Sequence, residues 1–462
     1  MIGDTIAAIS TPLGEGGIGI VRISGPEATE IIDNIFHTRQ KTNWHQQTFK
    51  LIYGYIHDPD SGEIIDEVLV GVMRAPHSYT KEDVIEINCH GGALPMRKIL
   101  ELVLKMGARL AEPGEFTKRA FLNGRLDLIQ AESIIDIIRA NTDDAMRLAM
   151  GQLSGGLSNK INDIQQKLLE ITALIEANID FPEEDVEEYN LSEVQKSVEQ
   201  IEQEINELLE NAETGRIYRE GLRTVIIGKP NVGKSSLLNV LLKENRAIVT
   251  DIPGTTRDLI EEVINIGGVP LKIIDTAGIR ETEDLIEKIG VQKTRESIDI
   301  ADFIIMVFDA QDGLNSADDQ IIELVKTKRG VKVLNKIDIQ DMKNSDISYK
   351  LTNILPHWPL VDISAFEETG IEKLEKEIVS MVTEGKVVPK DGVMISNIRH
   401  KNQLVKAVNH LRDVKEAISQ GVSIDLIAID IRDAWEAVSE INGTAITEHI
   451  VDKIFSDFCI GK

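Results

Sequence analysis

Cysteine, long apolar runs and export signals are what this sequence has least of. It holds only Cys89 and Cys459, so it cannot form a disulfide framework, and its cysteines and histidines show no metal-binding spacing. The sequence does not start with a charged segment followed by an apolar one, and no run reaches the roughly 18 apolar residues of a membrane span. The sequence therefore predicts a cytoplasmic protein without a membrane partner.

Positive charge is also scarce, because 50 Lys and Arg residues stand against 77 Asp and Glu residues, for a net charge of -27. This balance argues against a surface that binds nucleic acid by bulk attraction, so any contact with RNA must be local or come through a partner. The length of 462 residues predicts about three domains, and the 42% apolar fraction is enough to fill their cores.

The central feature of the sequence is a phosphate-binding loop, because an apolar run ends in GKPNVGKS at residues 228–235. Gly228 and Gly233 have no Cβ, so the backbone can curl until several N–H groups converge on a phosphate, with the positive end of a helix behind them. In this pattern Lys234 reaches the β- and γ-phosphates, and the Ser235 hydroxyl binds Mg²⁺. The sequence therefore predicts a nucleoside triphosphate site.

Two later motifs indicate which nucleotide binds. An apolar strand ends in DTAG at residues 275–278, whose carboxylate can hold a water on Mg²⁺ and whose glycine N–H can reach the γ-phosphate. Another strand ends in NKID at residues 335–338, where Asp338 can accept from both N–H donors of guanine, whereas adenine offers no such pair. Ser364 and Ala365 resemble the backbone contact to the guanine carbonyl. These motifs predict GTP rather than ATP.

Residues 1–118 predict a separate α/β domain. Strands are expected at 5–10, 18–23, 49–57, 64–73 and 84–88, and helices at 27–36 and 94–105. The turn-forming residues 58–62 make the third and fourth strands a hairpin. Cys89 and His90 are neighbours on a strand and point to opposite faces, so no thiol–imidazole dyad is expected.

From residue 119 the pattern becomes helical. One apolar stripe at helical spacing stops at Phe181-Pro182 and consists of Ile161, Ile164, Leu168, Ile171, Ile175 and Ile179. A capping box at Asn190 and Glu193 is expected to open a second helix, whose buried stripe is Val194, Val198, Ile201, Ile205 and Leu208. The pattern is expected to break at Gly215 and to resume near Ser396. We therefore predict a helical domain in two parts, 119–216 and 385–462, with a nucleotide domain inserted at 217–384.

Several segments together resemble one family, the tRNA modification GTPases called MnmE or TrmE. They are GKPNVGKS at 228–235, TDIPGTTRD at 250–258, DTAGIRE at 275–281, EKIG at 287–290 and FCIGK at 458–462, with VRISG at 21–25 and PGEFT at 113–117. The resemblance covers the whole chain. It implies a multidomain fold of α/β plus α class, in which an N-terminal folate-binding-like α/β domain and a discontinuous helical domain accompany an inserted Ras-like P-loop G domain.

The resemblance also implies a reaction and its partners. Members act as homodimers joined through their N-terminal domains, and they form a heterotetramer with a flavoprotein, MnmG or GidA. Together the two proteins add a carboxymethylaminomethyl or aminomethyl group to C5 of the wobble uridine of tRNA, using one-carbon tetrahydrofolate in its 5-formyl or methylene form. The folate-contacting positions of the family correspond here to Arg22, Glu86, Arg125 and Lys462. The alternative is that the arginines are ordinary surface charges.

One departure from Ras-like enzymes concerns hydrolysis. Ile279 stands where those enzymes carry the glutamine that orients the attacking water. By resemblance, K⁺ at a G-domain dimer interface offsets the developing charge and is held by Asn231, Thr250, Ile252 and Thr255. The resemblance also makes Glu287 and Lys234 the catalytic residues and Thr256 the second Mg²⁺ ligand beside Ser235.

The GTP-binding residues predicted from the motifs and the resemblance form one set. They are Asn231, Val232, Gly233, Lys234, Ser235, Ser236, Thr250, Asp251, Ile252, Pro253, Gly254, Thr255, Asp275, Thr276, Ala277, Gly278, Asn335, Lys336, Asp338, Ser364 and Ala365.

Alternatives remain at this level. Asn231 could only shape its loop, and Glu287 could be a plain surface carboxylate. Cys459 could be a functional thiol or a packing residue. A different class of function is a regulatory GTPase of ribosome assembly without covalent chemistry of its own. Such proteins often carry a basic RNA-binding module, and the helical C-terminal part shows none.

Overall fold

The chain forms two compact units. The computed structural model describes residues 3–38, 47–180, 187–245, 262–274, 295–339, 344–386, 388–389 and 391–462. The first unit comprises Met1–Ile135 together with Ser439–Lys462, and the second comprises Asp136–Val438. The first unit is therefore built from two segments that are distant in sequence.

The first unit is an α/β domain with a seven-stranded sheet. Its strands are β1 (Ile6–Ile9), β2 (Gly16–Ser24), β3 (Phe36–His37), β4 (Lys50–His57), β5 (Ile64–Met73), β6 (Val84–Gly91) and β7 (Arg109–Leu110). Its helices are α1 (Ala28–Ile35), α2 (Ala93–Lys105), α3 (Glu115–Leu122), most of α4 (Leu128–Arg139), the end of the later helix Ile424–Asn442, and a last helix, Glu448–Ser456.

The sheet of the first unit runs in the order β3-β4-β5-β6-β2-β1-β7. Helices α1 and α2 contribute Ile31, Ile32 and Ile99 to a core that also contains Val21 and Ile23 of β2. Because successive strand residues point to opposite faces, Arg22 lies on the other side of the sheet from this core. The same alternation puts Cys89 in the core and leaves His90 exposed, which confirms that the two do not form a dyad.

The strand and helix predictions for this unit are confirmed, with bounds that shift by a few residues. The hairpin of β4 and β5 is closed by the predicted turn, in which the Asp60 N–H donates to Asp58 Oδ1 at 2.9 Å and Gly62 takes φ +71°. A glycine accommodates that angle without strain.

The second unit contains a six-stranded sheet and a set of helices. The strands of the sheet are β8 (Leu222–Ile227), β9 (Glu262–Ile266), β10 (Val269–Ile273), β11 (Phe303–Asp309), β12 (Arg329–Asn335) and β13 (Leu360–Asp362). The helices are α5 (Asp143–Leu153), α6 (Gly156–Asp180), α7 (Glu187–Glu210), α8 (Ala212–Glu220), α9 (Lys234–Asn245), α10 (Ser316–Val325), α11 (Asn344–Asn353), α12 (Ile371–Thr383), α13 (Ile398–Ser419) and α14 (Ile424–Asn442). The final helix of the chain, Glu448–Ser456, is α15.

The six-stranded sheet runs in the order β13-β12-β11-β8-β10-β9. All its pairs are parallel except that of β9 with β10. Helices α9 and α12 pack on one face, against a core that includes Ile226, and helices α10 and α11 pack on the other, with Val225 and Ile227. A parallel sheet covered on both faces is a doubly wound fold, which places ligands at the carboxyl ends of its strands.

The helical part of this unit confirms both predicted stripes where side chains are described. Ile161, Ile164, Leu168, Ile171 and Ile175 of α6 are buried, as are Val194, Val198, Ile201, Ile205 and Leu208 of α7. Two sequence expectations are wrong. Helix α7 already begins at Glu187, so Asn190 is not its cap, and α8 continues through Gly215 to Glu220.

The glycine at 215 has a packing role rather than a helix-breaking one. A Cβ on Gly215 would lie 2.1 Å from the carbonyl oxygen of Ile395, so only glycine permits this close approach. Helix α8 ends instead at Glu220, and the φ of +83° at Gly221 suits the residue that follows a helix. The combination of α/β and helical parts confirms the predicted fold class. None of the helices in the described part of the chain combines the length and apolarity that crossing a membrane requires.

Candidate functional site

The loop between β8 and α9 has the backbone of a phosphate-binding loop. Gly228, Asn231 and Gly233 take φ values of +148°, +66° and +97°. A Cβ on Gly228 would lie 2.3 Å from the carbonyl oxygen of Val307 in β11, so the first glycine lets the loop leave the sheet. Such a curled backbone directs N–H groups into a common concavity that binds anions.

Asn335 connects three of the predicted motifs. Its Nδ2 donates to the carbonyl oxygen of Val232 at 2.9 Å, and its Oδ1 accepts from the N–H of Ala365 at 2.9 Å. A Cβ on Gly233 would lie 2.1 Å from that Nδ2. The side chain of Asn335 therefore holds the phosphate loop and the predicted guanine-contacting segment at fixed positions.

Lys234, the first residue of α9, occupies the phosphate loop with its ammonium group. Its Nζ donates to the carbonyl oxygens of Gly228 at 3.0 Å and Lys229 at 2.7 Å. Burial lowers the pKa of Lys234 from its ordinary value. A partly desolvated ammonium whose partners among the described residues are carbonyl oxygens binds a phosphate strongly, because the anion restores the interactions that water no longer provides.

The predicted guanine site contains a carboxylate oxygen that has no hydrogen-bond partner among the described residues. Oδ1 of Asp338 is buried and accepts no hydrogen bond from the described residues. Lys336 takes φ +66° and its Nζ contacts Oδ2 of Asp309 at 2.6 Å, which fixes the loop that carries Asp338. A buried carboxylate oxygen costs free energy unless it accepts hydrogen bonds, and the two N–H donors of guanine would supply them.

Several residues of the predicted GTPase site lie outside the described residues. These are Thr250, Asp251, Ile252, Pro253, Gly254, Thr255, Thr256, Asp275, Thr276, Ala277, Gly278, Ile279 and Glu287. On the described side, Ser235 and Ser236 lie exposed in the first turn of α9, and Asn231 lies exposed in the loop. A hydroxyl and an amide oxygen suit Mg²⁺ and K⁺, so the described donors fit both ions.

A second site forms on the sheet of the first unit. Arg22 of β2 lies opposite Glu86 of β6 in the strand register. Oε1 of Glu86 accepts from Nε of Arg22 at 2.9 Å and contacts its Nη2 at 2.8 Å. Strand pairing thus brings together two of the four residues that the family resemblance assigns to folate.

The other two predicted residues, Arg125 and Lys462, lie near the pair of Arg22 and Glu86. Arg125 does so through Tyr79, and Lys462 lies close enough to Arg22 for the two positive charges to repel each other. The guanidinium groups of Arg22 and Arg125 lie 5.5 Å and 4.7 Å from the centre of the Tyr79 ring, and Nη1 of Arg125 donates to the Tyr79 carbonyl at 3.0 Å. Burial raises the pKa of Tyr79, whose hydroxyl is 2.8 Å from that of Thr117. Burial, and then the charge of Arg22, lower the pKa of Lys462.

The segment after α15 enters this site through its backbone. The carbonyl oxygen of Gly461 accepts from Nη1 of Arg22 at 3.1 Å and from the Ser10 hydroxyl at 3.1 Å. Gly461 takes φ +90°, and a Cβ there would lie 2.4 Å from the Ile9 carbonyl. Cys459 is exposed, and its carbonyl accepts from the Gly114 N–H at 3.3 Å, so its described contact is made by the backbone.

Sequence reasoning missed Tyr79 and one further cluster. Tyr79 lies between β5 and β6, and no spacing connects it with the arginines. In the helical part, His410 of α13 lies near Asp430 and Asp433 of α14, and their possible ligand atoms are within 4.8 Å of one another. Nδ1 of His410 is 3.6 Å from Oδ1 of Asp430. His410 lies far from the two aspartates in the sequence, so no local motif indicates this histidine–carboxylate group.

Comparisons with known proteins match the chain over its whole length. A family model described as the MnmE helical domain matches residues 128–459, and one described as GTP-binding protein TrmE N-terminus matches residues 5–125. A protein named tRNA modification GTPase MnmE from Desulforamulus reducens is 54% identical over 463 residues, which is 100% of each chain. The protein of that name from Clostridioides difficile is 49% identical over 462 residues, again 100% of each chain.

Solved structures resemble only part of the chain. The chain is 31% identical to Era from Aquifex aeolicus, over 41% of this chain and 66% of that one, with a TM-score of 0.29. It is 26% identical to the G domain of the FeoB iron transporter from T. maritima, over 35% and 98% of the two chains, with a TM-score of 0.26.

Proposed function

Because this chain belongs to the MnmE family of tRNA modification GTPases and is therefore a GTP hydrolase, we propose that it couples hydrolysis to modification of C5 of the wobble uridine in tRNA. The group added is carboxymethylaminomethyl or aminomethyl, and a one-carbon tetrahydrofolate supplies its carbon. The partners are tRNA and the flavoprotein MnmG, and the reaction belongs to the cytoplasm. The observation that carries the proposal is the grouping around Arg22, which pairs with Glu86, shares the Tyr79 ring with Arg125 and lies close enough to Lys462 to add to the effect of burial in lowering its pKa.

The chemistry of this group suits a folate. Both contacts of Glu86 with Arg22 use Oε1, which leaves Oε2 to accept from the N–H donors of a pterin ring. The ring of Tyr79 provides a flat surface for a second aromatic ring. The cations of Arg125 and Lys462 suit the carboxylates of a glutamate tail. A carboxylate, an aromatic ring and cations therefore match the three parts of the ligand.

The experiment is binding of 5-formyltetrahydrofolate to the full chain, measured by isothermal titration calorimetry. Glu86→Gln and Arg125→Ala should each weaken binding about 10-fold or more, because each removes a charge-assisted hydrogen bond. Arg97→Ala is the matched control, since Arg97 is an exposed arginine on α2 in the same unit and should leave binding unchanged. If both variants bind as the control does, the folate proposal is wrong.

For hydrolysis we propose that Ser235 and Thr256 bind Mg²⁺, and that Asn231, Thr250, Ile252 and Thr255 bind K⁺ between two G domains. Glu287 positions the water, because Ile279 has no group that could. The exposed position of Asn231 in the loop supports this assignment. With K⁺ in place of an arginine finger, the cation offsets charge that develops on the phosphates.

The test of the cation is GTP hydrolysis in KCl and in NaCl at equal ionic strength. Hydrolysis should be fast in KCl and near background in NaCl, and Asn231→Ala should remove the K⁺ stimulation while GDP still binds. Asn353→Ala, on the exposed surface of α11, is the control and should keep the stimulation. Equal rates of the unmodified chain in both salts would refute the K⁺ assignment.

We further propose that the chain dimerises through the first unit. Leu51, Tyr53 and Leu69 lie on the sheet face opposite α1 and α2, and they are 64%, 38% and 41% exposed. Adjacent apolar side chains on an open sheet face are typical of an interface. Analytical ultracentrifugation of Leu69→Lys should show monomers. The control Leu94→Lys, at an exposed position of α2, should stay dimeric. A monomeric unmodified chain at micromolar concentration would contradict the dimer.

A further inference from the structure

Lys229 is a buried cation inside the phosphate loop. It follows Gly228, and only 7% of the residue is exposed. Its Nζ contacts Oδ2 of Asp318 at 3.0 Å and donates to the carbonyl oxygen of Gly313 at 2.9 Å. A lysine in a surface loop usually keeps its ammonium in water, so this side chain has been directed inward to a specific partner.

The partner is itself held rigidly. Asp318 is fully buried and lies in the first turn of α10. Its Oδ2 also accepts from the N–H of Asn315 at 3.0 Å, while Oδ1 of Asn315 accepts from the Asp318 N–H, which is a capping box. Because the start of α10 fixes Asp318, the side chain of Lys229 is tied to a stable element.

The phosphate loop is thereby fastened at both of its halves. Asn335 holds the second half through the Val232 carbonyl, whereas Lys229 holds the first half through its own side chain. The carbonyl of Lys229 is also one of the two that accept from Nζ of Lys234. The orientation of the Lys229 peptide therefore determines where the phosphate-binding ammonium lies.

Stability alone does not explain the buried ion pair of Lys229 and Asp318. Replacing a buried ion pair by apolar side chains is often neutral or stabilising, because the pair loses its hydration when it is buried. A loop whose backbone has three residues at positive φ must instead be kept in one conformation by contacts outside itself. The energetic argument favours a role in placing the loop.

We propose that Lys229 and Asp318 are positioning residues of the GTPase site. Their ion pair holds the first half of the phosphate loop, so that Lys234 and the loop N–H groups are aligned with the β- and γ-phosphates. Lys229 does not contact the nucleotide, since its ammonium is already bound to Asp318 and Gly313.

The experiment compares Lys229→Met with Lys332→Met in the full chain. Lys332 is a matched control because it is 1% exposed, belongs to the same sheet, and donates to the carbonyls of Leu351, Ile354 and Leu355, which are not part of the phosphate motif. The dissociation constants for GTP and inosine triphosphate, kcat and Tm are measured for each variant. Inosine triphosphate has the same phosphates but lacks the 2-amino group of guanine, so it separates phosphate contacts from base contacts.

Lys229→Met should weaken both nucleotides by the same factor, about 10-fold or more, and lower kcat, because small displacements of aligned groups are costly. Lys332→Met should lower Tm with normal affinity and kcat. Lys229→Arg, which keeps the charge, should restore part of the loss. Normal affinity and kcat in Lys229→Met, whatever its Tm, would overturn the proposal, as would a loss confined to GTP.

Asp318→Asn provides a second variant if Lys229→Met fails to fold. Asparagine keeps an oxygen for the Asn315 N–H but loses the charge opposite Lys229. It should shift affinity and kcat in the same direction as Lys229→Met, by a smaller factor. An Asp318→Asn protein with unchanged affinity and kcat would also overturn the proposal.

Discussion

Asp338 has a buried carboxylate oxygen, Oδ1, that accepts no hydrogen bond within the described part of the chain. We expect Asp338→Asn to weaken GTP binding by about 10⁴-fold, because a site built for hydrogen bonds rejects a ligand that leaves polar groups unpaired. The asparagine amide should instead favour xanthosine triphosphate, whose base offers an acceptor at that edge. Competition of both nucleotides against a fluorescent GDP analogue measures the change.

The control for this substitution is Asp312→Asn, an exposed carboxylate on the same unit. It should leave the preference for GTP unchanged. An Asp338→Asn protein that still binds GTP as the unmodified chain does would refute the guanine site assigned to residues 335–338.

At the residue scale, the sequence predicted those side chains whose roles depend on a local motif. Lys234, Asn335 and Asp338 stand at positions that the motif itself defines, so their contacts could be anticipated. Tyr79 and Asp318 could not, because their roles depend on pairing between strands and helices that are distant in sequence. Spacing along the chain carries no information about such contacts.

At the scale of elements, α6 and α7 are joined by a carboxylate between two lysines. Oε2 of Glu204 accepts from Nζ of Lys160 at 2.9 Å, and Oε1 accepts from Nζ of Lys167 at 2.6 Å. Burial acts to raise the pKa of Glu204, but the hydrogen bonds from Lys167, Lys160 and Gln200 outweigh it and lower that pKa to about 2. The ionised form therefore stabilises the packing of the two helices.

Glu204→Gln should lower the stability of this helix pair at pH 7 by about 1 kcal/mol, a figure reduced from the full pKa shift because the group is partly exposed to solvent. A depressed pKa stabilises the fold above the unfolded value of 4.5, and the contribution is lost as the pH falls toward about 2. The difference between variant and unmodified chain should therefore shrink from pH 5 to pH 3.

Hydrogen–deuterium exchange of α6 and α7 at several pH values measures this difference. Glu199→Gln is the control, because Glu199 is exposed on α7 and accepts a hydrogen bond from the neutral side chain of Gln195. Should the two substitutions show the same pH dependence, the lysine pair would have no part in stabilising these helices.

The sequence predicted helices correctly where the apolar pattern repeats over many residues, but it did not predict where the helices begin and end. The stripes on α6 and α7 follow from side-chain spacing, which the fold preserves. Gly215 was wrongly predicted to end the helical pattern, because a glycine usually weakens a helix. In this fold the missing side chain instead lets the Ile395 carbonyl pack closely against the helix. Asn190 was misread because a local cap motif can also occur inside a helix.

At the scale of the whole molecule, the two units separate the proposed chemistries. The predicted GTP residues lie within Asp136–Val438, whereas the proposed folate site lies in the first unit. Deleting Ile460 to Lys462 removes the Gly461 carbonyl that Arg22 and Ser10 contact. We expect the deletion to abolish tRNA modification in a reconstituted reaction with the flavoprotein, while GTP hydrolysis in KCl stays within about twofold, since the predicted GTP residues belong to the other compact unit.

Ile460→Ala is the matched control for the deletion, because Ile460 is 53% exposed and the Gly461 backbone remains. It should support modification normally. A deletion variant that still modifies tRNA would contradict the role given to this segment.

The sequence predicted an insertion from the interruption of the helical pattern, but it did not reveal that Ser439–Lys462 packs with the N-terminal segment. That grouping depends on Val451, Phe455 and Phe458 meeting Leu128 and Ala131, and apolar helix faces do not specify which partner they bury against. The predicted domain boundaries at 118, 216 and 384 stay predictions.

The two-segment construction of the first unit has a consequence for synthesis. A ribosome releases residues up to Ile135 first and Ser439 only after all of Asp136–Val438. At ~5–20 residues per second, the interval is on the order of 15 to 60 s. During that time Arg22 lacks the Gly461 carbonyl, while the inserted unit can already fold. An incomplete chain would thus acquire its nucleotide site before the proposed folate site, so we expect a truncated product to consume GTP without modifying any tRNA.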